Sequence, residues 1–212
     1  GADVVSANKA PLAQEWHDFK DLTAGTTTSL FRAEATVGAG LPVLDTLDVL
    51  RASGDRVHRI EGCFSGTLGF VCDRLSAGQP FSDAVLEARE AGYTEPDPAV
   101  DLSGLDVARK AIILGRFAGW PHIPEAASVT GLVPSNWAGL PIDDFRKRIV
   151  GLDADFRERV DLAAAEGKCL RYIARIDATG IEVGLRAVPQ SHPAAGLSGT
   201  DNMVVFTTAR YD

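Results

Sequence analysis

The chain has 212 residues, 45% hydrophobic and 24% charged, with a formal net charge of −8. This is globular composition, long enough for one sizeable core or two small ones. The acidic balance without any Lys/Arg cluster argues against a nucleic-acid partner, and the apolar runs are too short to cross a bilayer.

The opening segment, GADVVSANKAPLA, gives a short β-branched run, then Ser-Ala-Asn-Lys, then the start of a helical pattern over residues 10–23. A strand running straight off residue 1 needs neighbours, so the pattern suggests a start inside a larger α/β domain. Lys9 falls just past the end of that strand, where open α/β sheets place their ligands, although lysines at strand ends are commonly solvated. Residues 29–37 alternate in steps of two and read as a half-buried strand. The VGAGLPV stretch at 37–43 has two glycines of a dinucleotide fingerprint and lacks the third.

Leu44, Leu47 and Leu50 share one helical face, and Gly54 supplies the stop. Residues 56–63 read as a second strand. A helix follows with Thr67 as its N-cap and Gly78 at its end. Another is opened by Pro80 or Ser82 and ended by Gly92. After the acidic loop, a strongly apolar helix runs from Leu105 to about Ala118. Residues 119–142, rich in Pro and Gly, read as loop. A charged helix covers about 143–166. Strands at 169–177 and 181–189 are joined by a hairpin turn, and a last strand covers 202–211. The whole predicts an α+β fold: a mixed sheet covered by helices on one face.

Three cysteines, Cys63, Cys72 and Cys169, form no CxxC pair and read as reduced thiols of a cytoplasmic protein. The four histidines show no metal-ligand spacing.

The chemistry concentrates in YTEPDPAVDLSGLDVARK, residues 93–110, which holds Glu95, Asp97, Asp101, Asp106 and Lys110. Asp106 and Lys110 lie four apart on a predicted helix and share a face. They read as a surface ion pair worth about 0.3–0.5 kcal/mol. Alternatively, Ser103-x-x-Asp106 is a capping box with Asp101 or Ser103 as N-cap. Yet the helix is otherwise apolar, so the pair would be partly desolvated, a setting suited to proton transfer. Each proline of EPDP holds the residue before it extended. Asp97 reads as a loop residue. Glu95 reads equally as a solvent-facing loop residue or as a carboxylate set to grip a substrate ammonium.

VVSANK (4–9), EATVGAGLPV (34–43), GCFSGTLGFV (62–71) and residues 92–110 occur in the order found in homoserine dehydrogenases, as do EGKCLRYIARID (166–177) and NMVVFTTARY (202–211). Together they resemble the form fused to aspartate kinase more than the stand-alone form. The resemblance covers most of the chain and implies NAD- or NADP-dependent interconversion of L-aspartate 4-semialdehyde and L-homoserine. It implies Lys110, Lys9 and Asp106 as catalytic residues, and Glu95, Asp101, Tyr93 and Thr67 as the substrate site. Asn8 and Ala7 would touch the nicotinamide side of the cofactor. Glu34, Val37, Ala39 and Leu41 match a segment that binds a monovalent cation, Na or K, mostly through backbone carbonyls.

It further implies a homodimer formed through the sheet, a small amino-acid substrate, and no nucleic-acid or membrane partner. Residues 1–35 would end a Rossmann-type nucleotide domain, 36–200 would form the catalytic and dimerisation domain, and 201–212 would lead back toward the nucleotide domain. The family's glycine-rich nucleotide loop and its last glycine-rich segment are not in this sequence, and Phe70 stands where the family often has Tyr. By itself the chain is therefore expected to bind cofactor poorly and to turn over slowly. The competing expectations are a non-catalytic dimerisation or regulatory module, and a reductase of another amino-acid semialdehyde.

Overall fold

A computed structural model describes residues 2–14, 19, 30–120 and 127–211. Its centre is a five-stranded sheet in the order β4–β6–β5–β3–β7, with β3 at Val57–Cys63, β4 at Ser128–Val129, β5 at Lys168–Asp177, β6 at Gly180–Pro189 and β7 at Met203–Thr208. β5 pairs antiparallel with β3 and β6, and β3 with β7, while β4 joins β6 in parallel, so the sheet is mixed. A separate parallel pair forms between β1 (Val4–Val5) and β2 (Phe31–Arg32).

Alternation along the strands divides the two faces. Ile60 pairs with Ile176 on one side and Phe206 on the other, and this face meets the helices. Those are α2 (Val43–Ala52), α3 (Gly66–Ser76), α4 (Phe81–Glu90), α6 (Leu105–Phe117), α7 (Ile142–Ile149) and α8 (Asp153–Ala165). Between α4 and α6 lies α5, the single turn and a half Pro98–Leu102. Helices α3, α6 and α8 lie against β5. The core joins Ile60, Leu68, Val71, Leu102, Ile113, Leu114 and Ile176, all almost fully buried. Each such side chain contributes roughly 1.5–3 kcal/mol. Phe81 of α4 stacks on Phe156 of α8, with centroids 3.8 Å apart.

The opposite face carries a cross-strand charge row, Glu61–Arg175–Glu182. Beside it a small cluster of Cys63, Ile173, Val188 and Ala194 lies under a 3₁₀ turn at Pro193–Gly196. Cys63, Cys72 and Cys169 are all free thiols, and burial pushes the Cys63 and Cys72 thiols up to about 12. No helix among the described residues is long and apolar enough to cross a membrane.

Several sequence expectations need correction. The strand expected over 29–37 shrinks to Phe31–Arg32, because Glu34–Thr36 forms a 3₁₀ turn in which Thr36 Oγ1 donates to the Ala33 carbonyl at 2.6 Å. The helix expected over 143–166 is two helices. A 3₁₀ turn at Val150–Leu152 contains Gly151, and Asp153 starts α8 with its carboxylate accepting the Ser82 N–H at 2.7 Å and the Ser82 hydroxyl at 2.8 Å. Thr67 is inside α3; the cap is Ser65, whose hydroxyl accepts the Leu68 N–H. The loop 119–142 contains β4 and a 3₁₀ turn at Ser135–Trp137, with 121–126 outside the described residues. The helix expected over 10–23 is described only as α1, Ala10–Ala13; most of its remainder also lies outside.

Candidate active site

The α5–α6 junction is built to hold carboxylates still. Asp97, extended before Pro98, caps α5 by accepting the Ala99 N–H at 3.0 Å. Its second oxygen accepts the Gly139 N–H at 2.7 Å, tying the loop to the segment that leads into α7. Asp97 is thus structural, as its place before a proline suggested. The capping box does not form: α6 is entered through Gly104 at φ 75° with no side-chain cap. A β-carbon there would collide with the Tyr172 hydroxyl, which donates to the Thr130 carbonyl at 2.9 Å. Only glycine makes this sharp turn at low cost, and the turn sets Asp101 and Asp106 on either side of it.

Asp106 lies in the first turn of α6, where the helix dipole favours an anion. One oxygen is 2.8 Å from Lys110 Nζ and the other 3.4 Å from Lys9 Nζ. Burial pushes the Asp106 carboxyl up, but the hydrogen bond and charge of Lys110, with Lys9 behind it, outweigh burial and hold it below the usual carboxylate range. Lys110 also donates to the Phe64 carbonyl at 2.7 Å, and its side chain is only 17% exposed. It points into the protein, unlike a solvated lysine.

Asp101 accepts the Glu95 N–H at 2.7 Å, which fixes the loop segment carrying Glu95. Burial raises the Asp101 carboxyl; the Glu95 N–H opposes this, and the nearby carboxylates of Glu95, Asp106 and Asp97 add to the rise. The Glu95 carboxylate is exposed and has no partner among the described residues. Thr67 donates its hydroxyl to the Tyr93 carbonyl, and the Tyr93 ring packs on Phe70 with centroids 5.1 Å apart. Thr67 and Tyr93 therefore brace each other.

The other wall comes from the N-terminal segment. Lys9 sits at the N-cap of α1, with its carbonyl accepting the Leu12 and Ala13 N–H groups. Asn8 accepts the Ala10 N–H at 3.1 Å through Oδ1, leaving its amide NH₂ uncommitted. Buried Arg116 of α6 clamps this segment by donating to the Leu12 carbonyl at 2.6 Å and the Gln14 carbonyl at 2.8 Å. Sequence reasoning missed this role, although a charged residue in an apolar helix was its signal.

Between the walls opens a cleft of about 440 Å³ lined by Ala7, Asn8, Lys9, Ala10, Ala13, Gln14, Asp106 and Arg109. Small alanines leave room for a flat ring, and the polar groups offer donors, so the cleft fits the nicotinamide end of a dinucleotide. The expected cation segment lies apart from it. The Glu34 carboxylate accepts the N–H groups of Leu44 and Asp45, both at 2.9 Å, and so caps α2. The Leu41 carbonyl accepts the Val43 N–H. Ala39 holds φ 55°, and the carbonyls of Val37 and Ala39 accept no hydrogen bond among the described residues. Two such carbonyls in one turn are a donor type compatible with a monovalent cation. No cluster of three or more His, Cys, Asp or Glu suited to a metal occurs among the described residues.

Comparison with known proteins gives a consistent result. A profile of the homoserine dehydrogenase family matches residues 42–212. A homoserine dehydrogenase of Paracoccidioides brasiliensis is 41% identical over 225 residues, covering 100% of this chain and 60% of that protein. The bifunctional aspartokinase/homoserine dehydrogenase 2, chloroplastic, of Zea mays is 44% identical over 208 residues, covering 97% of this chain and 22% of that protein. Among solved structures, a Candida auris protein of unknown function has TM-score 0.89 and 38% identity, over 97% of this chain and 60% of that one. A hyperthermophilic archaeal homoserine dehydrogenase mutant in complex with NADPH has TM-score 0.71 and 25% identity, over 97% of this chain and 54% of that one. The chain thus spans about 60% of the length of its fungal relative.

Proposed function

The chain belongs to the homoserine dehydrogenase family, and from that premise we propose that it carries the substrate side of the NAD(P)-dependent interconversion of L-aspartate 4-semialdehyde and L-homoserine. The observation that carries this reading is the Asp106 carboxylate bridging Lys9 and Lys110 at the start of a buried helix. When bound, the nicotinamide supplies or accepts the hydride at the substrate's aldehyde carbon.

The chain's own residues handle charge and protons. Lys110 Nζ gives a proton to the aldehyde oxygen as the carbon is reduced, and takes it back in the reverse direction. Asp106 orients Lys110 and accepts a hydrogen bond from the new hydroxyl. Lys9 adds positive charge where the oxyanion develops. Glu95, held by Asp101, receives the substrate ammonium, and Tyr93 and Thr67 complete that end. Ala7 and Asn8 face the nicotinamide. A monovalent cation, Na or K, would be held by the carbonyls of Val37, Ala39 and Leu41 near Glu34, steadying the entry to α2.

The reading includes a homodimer through the helix-free sheet face, on which Arg175 lies between Glu61 and Glu182. Three unpaired thiols fit a reducing compartment such as the cytoplasm. In the full-length protein, Lys110→Ala should lower turnover of the semialdehyde by about 10²–10⁴-fold, with a thermal melt confirming that the variant folds. Wild-type turnover in that variant would refute the assignment.

A further inference from the structure

We propose that Arg109 binds the pyrophosphate of the nicotinamide cofactor. The proposal rests on the oxidoreductase reading above and extends it to a residue on the cofactor side of the cleft. Arg109 lines the cleft together with Asn8, Lys9 and Asp106. It is exposed and makes no ion pair or hydrogen bond among the described residues. Its two cationic neighbours, Lys9 and Lys110, both contact Asp106. Three cations therefore share one carboxylate here, which leaves the site net positive, and Arg109 is the one of the three with no carboxylate contact.

The position of Arg109 argues for the cofactor over the substrate. The substrate's carboxylate and ammonium share one carbon, and the ammonium belongs to Glu95. Neither Glu95 nor its supports Asp101, Tyr93 and Thr67 line this cleft. Arg109 instead shares it with the Ala7–Gln14 wall, the side assigned to the nicotinamide. A guanidinium meets phosphate oxygens through two parallel N–H bonds, which suits a doubly charged pyrophosphate better than an ammonium does.

The test is direct cofactor binding to the full-length protein, followed by the fluorescence of NADH and of NADPH, in wild type, Arg109→Gln and Arg109→Lys. Calorimetric L-homoserine binding is measured alongside, and thermal melts confirm folding. Arg109→Gln should raise the Kd of both dinucleotides by about 10- to 100-fold, as expected for losing hydrogen bonds between charged groups. Arg109→Lys should recover part of the loss, and homoserine binding should not move. An unchanged Kd for both dinucleotides in Arg109→Gln overturns the proposal. Weakening of NADPH alone overturns it in favour of the ribose phosphate, and weakening of homoserine alone in favour of the substrate carboxylate. Wild-type protein that binds neither dinucleotide sinks the oxidoreductase reading itself, and the proposal with it.

Discussion

The two walls of the proposed site, one for substrate at α5–α6 and one for cofactor at the N-terminal segment, are built differently. The substrate wall at α5–α6 is locked from within: Asp97 ties two segments, Asp101 fixes the Glu95 backbone, Gly104 sets the turn, and Lys110 is held at both Asp106 and the Phe64 carbonyl. Among the described residues, the cofactor wall is one short turn, α1, attached to β1 and held on α6 by the Arg116 guanidinium. The first wall has its geometry from the domain core. The second leans on that core through the Arg116 guanidinium, the buried Leu12 side chain and the Lys9–Asp106 ion pair.

The sharpest way to break the substrate wall is Gly104→Ala. Positive φ and the collision with Tyr172 act together, and stability should fall by roughly 2–4 kcal/mol, read as a lowered urea midpoint with weaker homoserine binding. Unchanged stability would mean the junction tolerates a side chain and is not the lock described here. Next in size, Arg116→Met keeps the aliphatic stem and strips the two carbonyls of their donor. A loss of about 2 kcal/mol is expected, with cofactor affinity falling more than homoserine affinity. Equal losses for both ligands would erase the contrast between the walls.

Asp97→Ala should cost about 1 kcal/mol through the lost cap and weaken homoserine binding modestly, without touching cofactor binding. The smallest effect is a titration. Carbon-13 NMR of the carboxyl groups should show Asp101 titrating above the ordinary value of about 3.9 and Asp106 below it. The stability contributions then have opposite signs. That of Asp106 is present above its unfolded value and is lost as the pH falls through its lower folded value. Asp101 binds its proton more readily when folded, so it favours the fold below its unfolded value and loses that contribution as the pH rises through its folded value. Asp106 titrating above Asp101 would contradict the ion-pair geometry.

Much of this was legible in the sequence. The hairpin strands fall within a residue of their expected bounds because each is a continuous β-rich run closed by a turn. Apolar content located α6, and the acidic block located the carboxylates that α5 and α6 carry. What failed was decided by tertiary contacts. Residues 29–37 alternate like a strand, yet Glu34 is drawn off to cap α2. The helical pattern of 143–166 hid a break that exists because Asp153 turns to Ser82. Ser65 and Thr67 are both caps by type, and the Thr67 hydroxyl donates to the Tyr93 carbonyl instead. The contact of Lys9 with Asp106 spans 97 positions in the chain, and no local pattern could show it.

The most direct measurement is calorimetric titration of L-homoserine into the full-length protein and its Glu95→Gln and Arg109→Gln variants. If the substrate wall binds the amino acid on its own terms, Glu95→Gln weakens binding by at least about tenfold and Arg109→Gln leaves it unchanged. Wild-type affinity in Glu95→Gln would contradict the assignment of the acidic loop to the substrate.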